Sequence, residues 1–313
     1  FIMKKVIYVL PRKPYPPYAG QSKLAFSRAK ALKNLGFETE LIFICRNSQK
    51  VIKKDEKNLK KVFKKITPIN LNIIDWLMIC FSCIPKTIFL KIPLRCQLVN
   101  SPKVIKDFKK IINKDQNDSI LHFYSASTYP FWREAELKKK YFVIDMVDSS
   151  TLNIKRKLKL SKNLIKKLFW KLEYKLTKSF ETNLPNYEFC KKYLCVSKVD
   201  LNFFKIRKSP KIQNSFSSSS VGIEINKVID RGHNFKFNLI FFGSLWYEPN
   251  INALNWLIEK VLKKVWLKDK RIKLLIAGSN PPYKLINKCK KYKNNYLNKK
   301  PINKLKLINS SKI

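Results

Sequence analysis

The sequence predicts an α/β protein of two domains, in which each domain has a parallel sheet covered by helices. Short apolar runs alternate with amphipathic helical patterns on both sides of a polar linker, which is typical of βαβ units. The 313 residues exceed the usual size of one domain, and 45% of them are hydrophobic, enough for ordinary cores. We expect a first domain over residues 3–200, a linker over 201–235 and an incomplete second domain over 236–313.

The first predicted βαβ unit lies at the start of the chain. Val6–Leu10 is a short apolar strand, and a loop with four prolines follows it at Pro11–Gly20. Gln21–Leu35 has the pattern of a helix that ends at Gly36, and Glu38–Cys45 is the next strand. The unit lacks the G-x-G-x-x-G pattern of dinucleotide-binding proteins, so an oxidoreductase is disfavoured.

The most apolar stretch of the chain is Ile73–Leu90. It contains Asp75, Pro85 and Lys86, and it is short for a membrane span. We therefore expect a buried or interfacial helix.

Two further strands, Ser119–Phe123 and Tyr141–Ile144, are predicted in the first sheet. Open α/β sheets bind ligands outside the carboxyl ends of their strands. His122 lies near one such end, and Asp145 directly follows the other. A lone histidine at a strand end is either a site residue or a structural one, and both interpretations remain open.

Ser161–Asn183 is predicted to be an amphipathic helix whose lysines, between Lys162 and Lys178, cover much of the surface. Two interpretations remain open. The helix either lies on anionic lipid or presents a solvated lysine face over a packed apolar stripe. The stripe consists of Leu164, Leu168, Leu172, Leu176 and Phe180, with Ile165 and Phe169 beside it.

The second domain is predicted from one βαβ unit. Its strands, Leu239–Phe242 and Lys273–Ala277, end at Gly243 and Gly278, and Asn250 is the expected N-cap of the helix between them. Glycine at such a place lets the backbone approach a phosphate, because it has no Cβ. The alternative is that the two glycines simply end the strands.

The formal net charge of +45 is unusually high and would ordinarily suggest a nucleic-acid or membrane-surface partner. Only nine of the 66 basic residues are arginine, and the excess of lysine, together with many asparagines, indicates a codon bias. Arginine is the residue whose planar fork reads phosphate and guanine, so nucleic acid is disfavoured as the main partner. Weak contact with an anionic membrane surface fits the charge better.

The cysteines bear on the compartment and on metal binding. Seven cysteines, an odd number, and the lack of a signal peptide favour a reducing cytoplasm. Cys80 and Cys83 have the C-x-x-C spacing of zinc and redox sites. No second pair or nearby histidine completes such a site, so we expect both to pack as small hydrophobic residues.

Three motifs carry a resemblance to a known family. F-F-G-S-L-W-Y-x-P-N-x-x-A-L-x-W-L, L-L-I-A-G-S-N-P-P and the opening K-K-V-I-Y-V-L-P-R-K-P-Y-P-P-Y-A-G together resemble GT-B glycosyltransferases of the family 4 type, the glycosyl transferases of group 1. The resemblance implies two Rossmann-like domains. It also implies transfer of a hexose, with retention of configuration and without a metal or other cofactor, from a nucleotide-sugar donor to a glycan or lipid-linked acceptor.

The same resemblance implies a set of site residues on both domains. One position, in the L-H-F-Y-S segment, corresponds to a histidine of the family's catalytic region, with His122 or Tyr124 as the nearest match. The donor-binding residues it implies are Gly243, Ser244 and Gly278, and the acceptor-binding residues are Tyr15 and Gly20.

In the second predicted domain, the family's acidic E-x7-E motif has no counterpart. The resemblance therefore implies a C-terminal truncation and a fragment that is inactive alone. Two other functions remain as alternatives: a catalytically inactive GT-B-like scaffold and, less favoured, a basic nucleic-acid-binding protein. The expected location is the cytoplasm, peripheral at the inner face of the membrane.

Overall fold

The computed structural model describes residues 5–17, 20–45, 55–115, 119–161, 163–184, 187–205, 216–219 and 237–292, and the backbone of 295–298. The chain divides into two compact units, Phe1–Ile223 and Glu224–Ile313.

The first unit contains a parallel sheet of seven strands in the order β3-β2-β1-β4-β5-β6-β7. The order places β1 and β4 at the centre, so that strands far apart in sequence end side by side. The strands are β1 (Lys5–Leu10), β2 (Glu38–Cys45), β3 (Lys65–Asn70), β4 (Ser119–Tyr124), β5 (Phe142–Val147), β6 (Cys190–Cys195) and β7 (Phe216–Ser218).

Helices cover both faces of this sheet, because side chains alternate between faces along each strand. On β1, Val6, Tyr8 and Leu10 join one buried cluster, whereas Ile7 and Val9 join the other. The helices are α1 (Gly20–Asn34), α2 (55–60), α3 (Ile73–Phe89), α4 (Pro102–Lys114), α5 (Tyr129–Leu137), α6 (Ser150–Leu160), α7 (Leu164–Thr182) and α8 (Lys198–Lys205), with 3-10 turns at Leu94–Gln97 and Ala126–Thr128.

The predicted end of α1 is confirmed in detail. Gly36 has φ +86°, a backbone conformation that favours glycine. The amide of Gly36 donates to the carbonyl of Lys33, and the amide of Phe37 donates to the carbonyl of Leu32, both at 3.0 Å. These two bonds form a Schellman motif, which satisfies the last carbonyls of the helix.

The first sheet extends into the predicted linker. The expected boundary at residue 200 falls inside α8, and β7 adds to the sheet beyond it, paired with β6. Phe204 on α8 and Phe216 on β7 are both buried and stack with ring centroids 5.6 Å apart. These aromatic contacts attach the segment to the first unit.

Two helices leave much of their apolar surface exposed, which for α3 excludes the buried alternative and leaves the interfacial one. In α3 only Asp75, Ile79 and Thr87 are buried, so it is not a core helix. The first half of α7 also leaves its apolar stripe exposed, with Leu164 at 80% and Leu168 at 71%. Of the two interpretations of this helix, a packed stripe therefore applies only to its second half, where Glu173, Leu176, Thr177 and Glu181 are buried.

The second unit contains three described parallel strands in the order β10-β9-β8. Its core lies between β8, β9 and one long helical segment, where Leu254, Ile258 and Leu262 pack against Leu274 and Ile276. The elements are β8 (Leu239–Phe242), α9 (Glu248–Trp256), a π-helix (Leu257–Leu262), α10 (Lys263–Lys268), β9 (Leu274–Ala277), α11 (Tyr283–Lys290) and β10 (Asn295–Asn298).

Candidate functional site

A cavity of about 410 Å³ lies at the carboxyl ends of β1 and β2 in the first unit. Pro11 and Arg12 follow β1 directly, and Cys45 is the last residue of β2. The carboxyl ends of parallel strands are where open α/β sheets bind ligands, so this is the expected place for a site. The lining residues are Pro11, Arg12, Gln21, Ile44, Cys45, Leu71, Arg95, Leu98, Val99 and Ser127.

The polar part of the cavity wall consists mainly of hydrogen-bond donors. Arg12 is exposed and its Nη2 lies 3.4 Å from Gln21 Oε1, and Arg95 Nη1 donates to Ser150 Oγ at 2.7 Å. Gln21 Nε2 is buried and has no hydrogen-bond partner among the described residues. The wall contains two cationic and no acidic side chains, so the cavity favours an anion.

A buried ion pair lies in the same sheet, at the end of β5. Asp145 is fully buried and pairs with the guanidinium of Arg28 on α1, which also donates from Nη2 to the carbonyl of Ser219 at 2.6 Å. Burial raises the pKa of Asp145 to about 6, although Arg28 and the amide of Val147 oppose the shift. The pair ties α1, β5 and the end of β7 together.

His122 is buried in β4 beside this pair. Its ring lies between Tyr8 and Tyr124, with centroid distances of 5.1 and 4.6 Å, and its Nε2 is 3.9 Å from Asp145 Oδ2, too far for a hydrogen bond. Burial, assisted by the charge of Arg28, lowers the pKa of His122 to about 3. The side chain is therefore neutral at physiological pH, and it is not among the residues that line the cavity.

The predicted acceptor residues lie in different surroundings. Tyr15 packs against Phe26 with ring centroids 5.4 Å apart and is also not among the lining residues. Gly20 is the exposed first residue of α1, and the space beside it is open. It directly precedes Gln21, so the structure places Gly20 next to the cavity.

In the second unit the structure brings the three predicted donor residues together. The amide of Gly243 donates to the carbonyl of Ala277 at 3.0 Å, and the amide of Leu245 donates to the carbonyl of Ser279 at 3.1 Å. These bonds hold the turns after β8 and β9 side by side, so Ser244 and Gly278 lie on adjacent turns.

Close packing explains both glycines of these turns. A β-carbon at Gly278 would overlap the carbonyl oxygen of Gly243, and one at Gly243 would lie 2.8 Å from Asn250 Nδ2. The prediction of Asn250 as N-cap is wrong: Tyr247 holds that position, and Asn250 Nδ2 instead donates to the carbonyl of Ser244 at 3.1 Å. A role of the glycines in binding a donor stays a prediction.

Sequence reasoning missed Arg12 and Arg95, which make the cavity wall cationic, and Arg28, which pairs with the buried Asp145. Arg12, Arg28 and Arg95 are three of only nine arginines in the chain, and all three lie near strand ends of one sheet. The rarity of arginine among so many lysines was the available signal, because arginine holds carboxylates and phosphates through a planar fork.

Cys80 and Cys83 are partly exposed on α3, and none of the seven cysteines forms a disulfide. The described residues contain no group of three or more side chains suited to hold a metal ion. Among the described helices, none is both long and apolar enough to cross a membrane.

Comparisons with known proteins give similarity at the level of structure. No protein-family model matches the chain, and no curated protein matches it. A crystal structure of TarM aligns over 99% of this chain and 79% of its own, with a TM-score of 0.66 and 12% identity. The S. aureus TarM mutant in complex with Fondaparinux, alpha-GlcNAc-glycerol and UDP aligns over 99% and 80%, with a TM-score of 0.63 and 11% identity.

A third similar structure is the UDP-GlcNAc 2-epimerase from Neisseria meningitidis bound to UDP-GlcNAc. It aligns over 98% of this chain and 75% of its own, with a TM-score of 0.51 and 12% identity. Likeness at such low identity concerns the fold. The chain has the predicted α/β fold of two Rossmann-like domains, which is the GT-B fold.

Proposed function

We propose that this protein is a glycosyltransferase that moves a sugar from a nucleotide-sugar donor to a glycan or lipid-linked acceptor. The observation that supports this most is the pair of turns after β8 and β9, which adjacent hydrogen bonds hold at the carboxyl end of a parallel sheet. The amides of Gly243 and Leu245 are engaged in these bonds, so other backbone amides of the two turns would bind a diphosphate. Two of the similar structures are complexes with UDP and with UDP-GlcNAc.

The donor's leaving diphosphate gains negative charge as the sugar departs. Backbone amides near Gly243, Ser244 and Gly278 and cationic side chains would stabilise that charge without a metal ion. From the resemblance of the motifs we extend the proposal to a family 4 hexosyltransferase that retains the anomeric configuration. His122 belongs to the proposal only as a neutral group, because its pKa lies well below 7.

The first unit would bind the acceptor, with Gly20 beside the cavity and Tyr15 supporting the loop that follows β1. We also propose a cytoplasmic location at the inner face of the membrane. The exposed Leu164, Ile165 and Leu168 on α7, together with the neighbouring lysines, support it, because basic amphipathic helices bind anionic lipid.

Calorimetric titration of the full chain with UDP and GDP tests the donor site. We expect the wild type to bind one nucleotide and Gly243→Val to lose detectable binding, because its side chain fills the turn and displaces Asn250. If Gly243→Val does not fold, Gly243→Ala replaces it in the titration, because its methyl group requires only the side chain of Asn250 to move.

Leu267→Ala is the matched control, since Leu267 is 84% exposed on α10 in the same unit. Circular dichroism establishes that each variant is folded. A folded wild type that binds neither nucleotide would overturn the proposal. Unchanged affinity in folded Gly243→Val would place the donor elsewhere.

A further inference from the structure

Helix α3 presents an apolar surface that is unusual for a water-exposed helix. Ten large apolar side chains between Ile73 and Leu90 are exposed, with Phe81 at 79% and Phe89 at 80%. Isolated exposed apolar residues are normal, but ten on one helix form a patch that marks an interaction surface.

The charges around this surface are positive. The sole acidic residue of α3, Asp75, is buried and accepts hydrogen bonds from Ser101 Oγ at 2.6 Å and from the amide of Asn72 at 3.1 Å. Lys86 lies within the helix, and Lys91 follows its C-cap residue, Leu90. An apolar surface with cationic residues at its margin complements anionic lipid, which accepts apolar side chains among its chains and attracts lysine at its headgroups.

The cavity at the ends of β1 and β2 adjoins this helix. Leu98 and Val99 line the cavity, and two residues close to them in sequence, Gln97 and Ser101, are hydrogen-bonded to side chains of α3. Gln97 Nε2 donates to Thr87 Oγ1 at 2.9 Å near one end of the helix, and Ser101 Oγ donates to Asp75 near the other. One side of the cavity is therefore held against α3.

The cavity wall contains both cationic and apolar side chains. Arg12 and Arg95 contribute guanidinium groups and Gln21 contributes a buried, unpartnered Nε2 donor, whereas Ile44, Leu71 and Leu98 are apolar. Guanidinium groups bind phosphate through paired hydrogen bonds. A wall with both donors and apolar side chains matches a molecule with a phosphate and a hydrocarbon chain.

We propose that the cavity binds the phosphate of an anionic amphiphile, whose hydrocarbon part lies against the apolar surface of α3. This inference rests on the proposed function in one respect: it assigns the amphiphile as the sugar acceptor. Arg12 and Arg95 bind the phosphate, and Ile73 and Leu77, which are 75% and 45% exposed, contact the hydrocarbon.

Binding of three probes to the full chain tests the inference without any nucleotide. Dodecyl phosphate has both a phosphate and a hydrocarbon chain. Inorganic phosphate has only the anion, and dodecyl maltoside has the hydrocarbon chain on a neutral headgroup. Calorimetry below the critical micelle concentration is expected to show dodecyl phosphate binding at least about tenfold more tightly than either of the others.

Two variants separate the contributions. Arg95→Met is expected to weaken dodecyl phosphate binding by about tenfold or more and to leave dodecyl maltoside unchanged. The double variant Ile73→Ser and Leu77→Ser is expected to reduce the affinity for dodecyl phosphate towards that for inorganic phosphate. Arg271→Met and Leu267→Ser make the same kinds of change at exposed positions in the second unit and are expected to have no effect.

Equal affinity for dodecyl phosphate and dodecyl maltoside would overturn the anionic site. Equal affinity for dodecyl phosphate and inorganic phosphate would overturn the role of α3 and identify a free phosphate ligand. Arg12→Met serves as a second variant if Arg95→Met does not fold, because Arg95 also holds Ser150. Failure of UDP and GDP to bind would withdraw the assignment of the amphiphile as a sugar acceptor, but it would not affect the lipid site. The two proposals can therefore fail separately.

Discussion

The carbonyl oxygen of Gly243 occupies the space in which a β-carbon of residue 278 would lie. The same β-carbon would be 2.8 Å from Leu245 Cγ, closer than such atoms approach in folded proteins. The turns after β8 and β9 therefore touch through backbone atoms, and residue 278 must be glycine for reasons of packing before any ligand is considered.

We expect Gly278→Ala to destabilise the second unit by roughly 1–3 kcal/mol or more, because backbone atoms must move to admit the methyl group. Thermal unfolding of the full chain followed by circular dichroism measures this. Gly20→Ala is the control, since nothing lies within 4 Å of the added carbon, and its effect is expected within about 0.5 kcal/mol. Equal melting temperatures of Gly278→Ala and wild type would contradict the close backbone contact between residues 243 and 278.

Arg28→Met is expected to destabilise the protein by roughly 3–5 kcal/mol at neutral pH, because it leaves the carboxylate of Asp145 buried without its cation. Urea unfolding gives the value. The double variant Arg28→Met and Asp145→Leu removes both charges and is expected to recover much of the loss. A double variant as unstable as the single one would show that packing of Arg28, and not its charge, matters.

The pH dependence of stability is expected to carry the signature of Asp145. Its pKa is raised from 3.8 to about 6, so its contribution to stability is present below the unfolded value and is lost as pH rises through about 6. The unfolding free energy of wild type, measured relative to that of Asp145→Asn, should fall by about 2–3 kcal/mol as the pH rises from below 3.8 to above about 6. A difference that stays constant with pH would contradict the burial of an ionisable group.

His122 is expected to remain neutral in the folded protein down to about pH 5, because its pKa is lowered from 6.5 to about 3. Its contribution to stability is therefore present above the unfolded pKa and is lost as pH falls towards 3. The ¹⁵N shifts of the imidazole, assigned by their loss in His122→Gln, report the protonation state directly. Titration with a midpoint near pH 6.5 would show that the ring is open to water.

Glu181 on α7 joins that helix to the start of α6. Its carboxylate accepts from Ser149 Oγ at 2.7 Å, from the amide of Ser150 at 2.7 Å and from the amide of Thr151 at 3.1 Å. Glu181→Ala leaves these buried donors without a partner and is expected to cost roughly 2–4 kcal/mol. Urea unfolding is the measurement, and Glu188→Ala, at an exposed position, is the control. Equal stability of the two variants would contradict the role of the carboxylate.

Most elements of the fold could be predicted from the sequence, because local patterns decide them. The strand Leu239–Phe242 and the end of α1 at Gly36 were both predicted as they are found. An apolar run bounded by glycine and the left-handed position after a helix depend on neighbouring residues alone.

Burial and the sites depended on contacts between distant residues. The stripe on α7 has the pattern of a packed helix, yet Leu164 and Leu168 are exposed, because periodicity does not specify whether a partner surface is present. The sequence provided an apolar α3 and a few arginines, but only the tertiary structure placed Arg12 and Arg95 around one cavity. Arg12 and Arg95 are 83 positions apart in sequence, and they line the same cavity because the connection after α3 returns to the end of β1. The packing of the sheet determines that return, and neither segment specifies it alone.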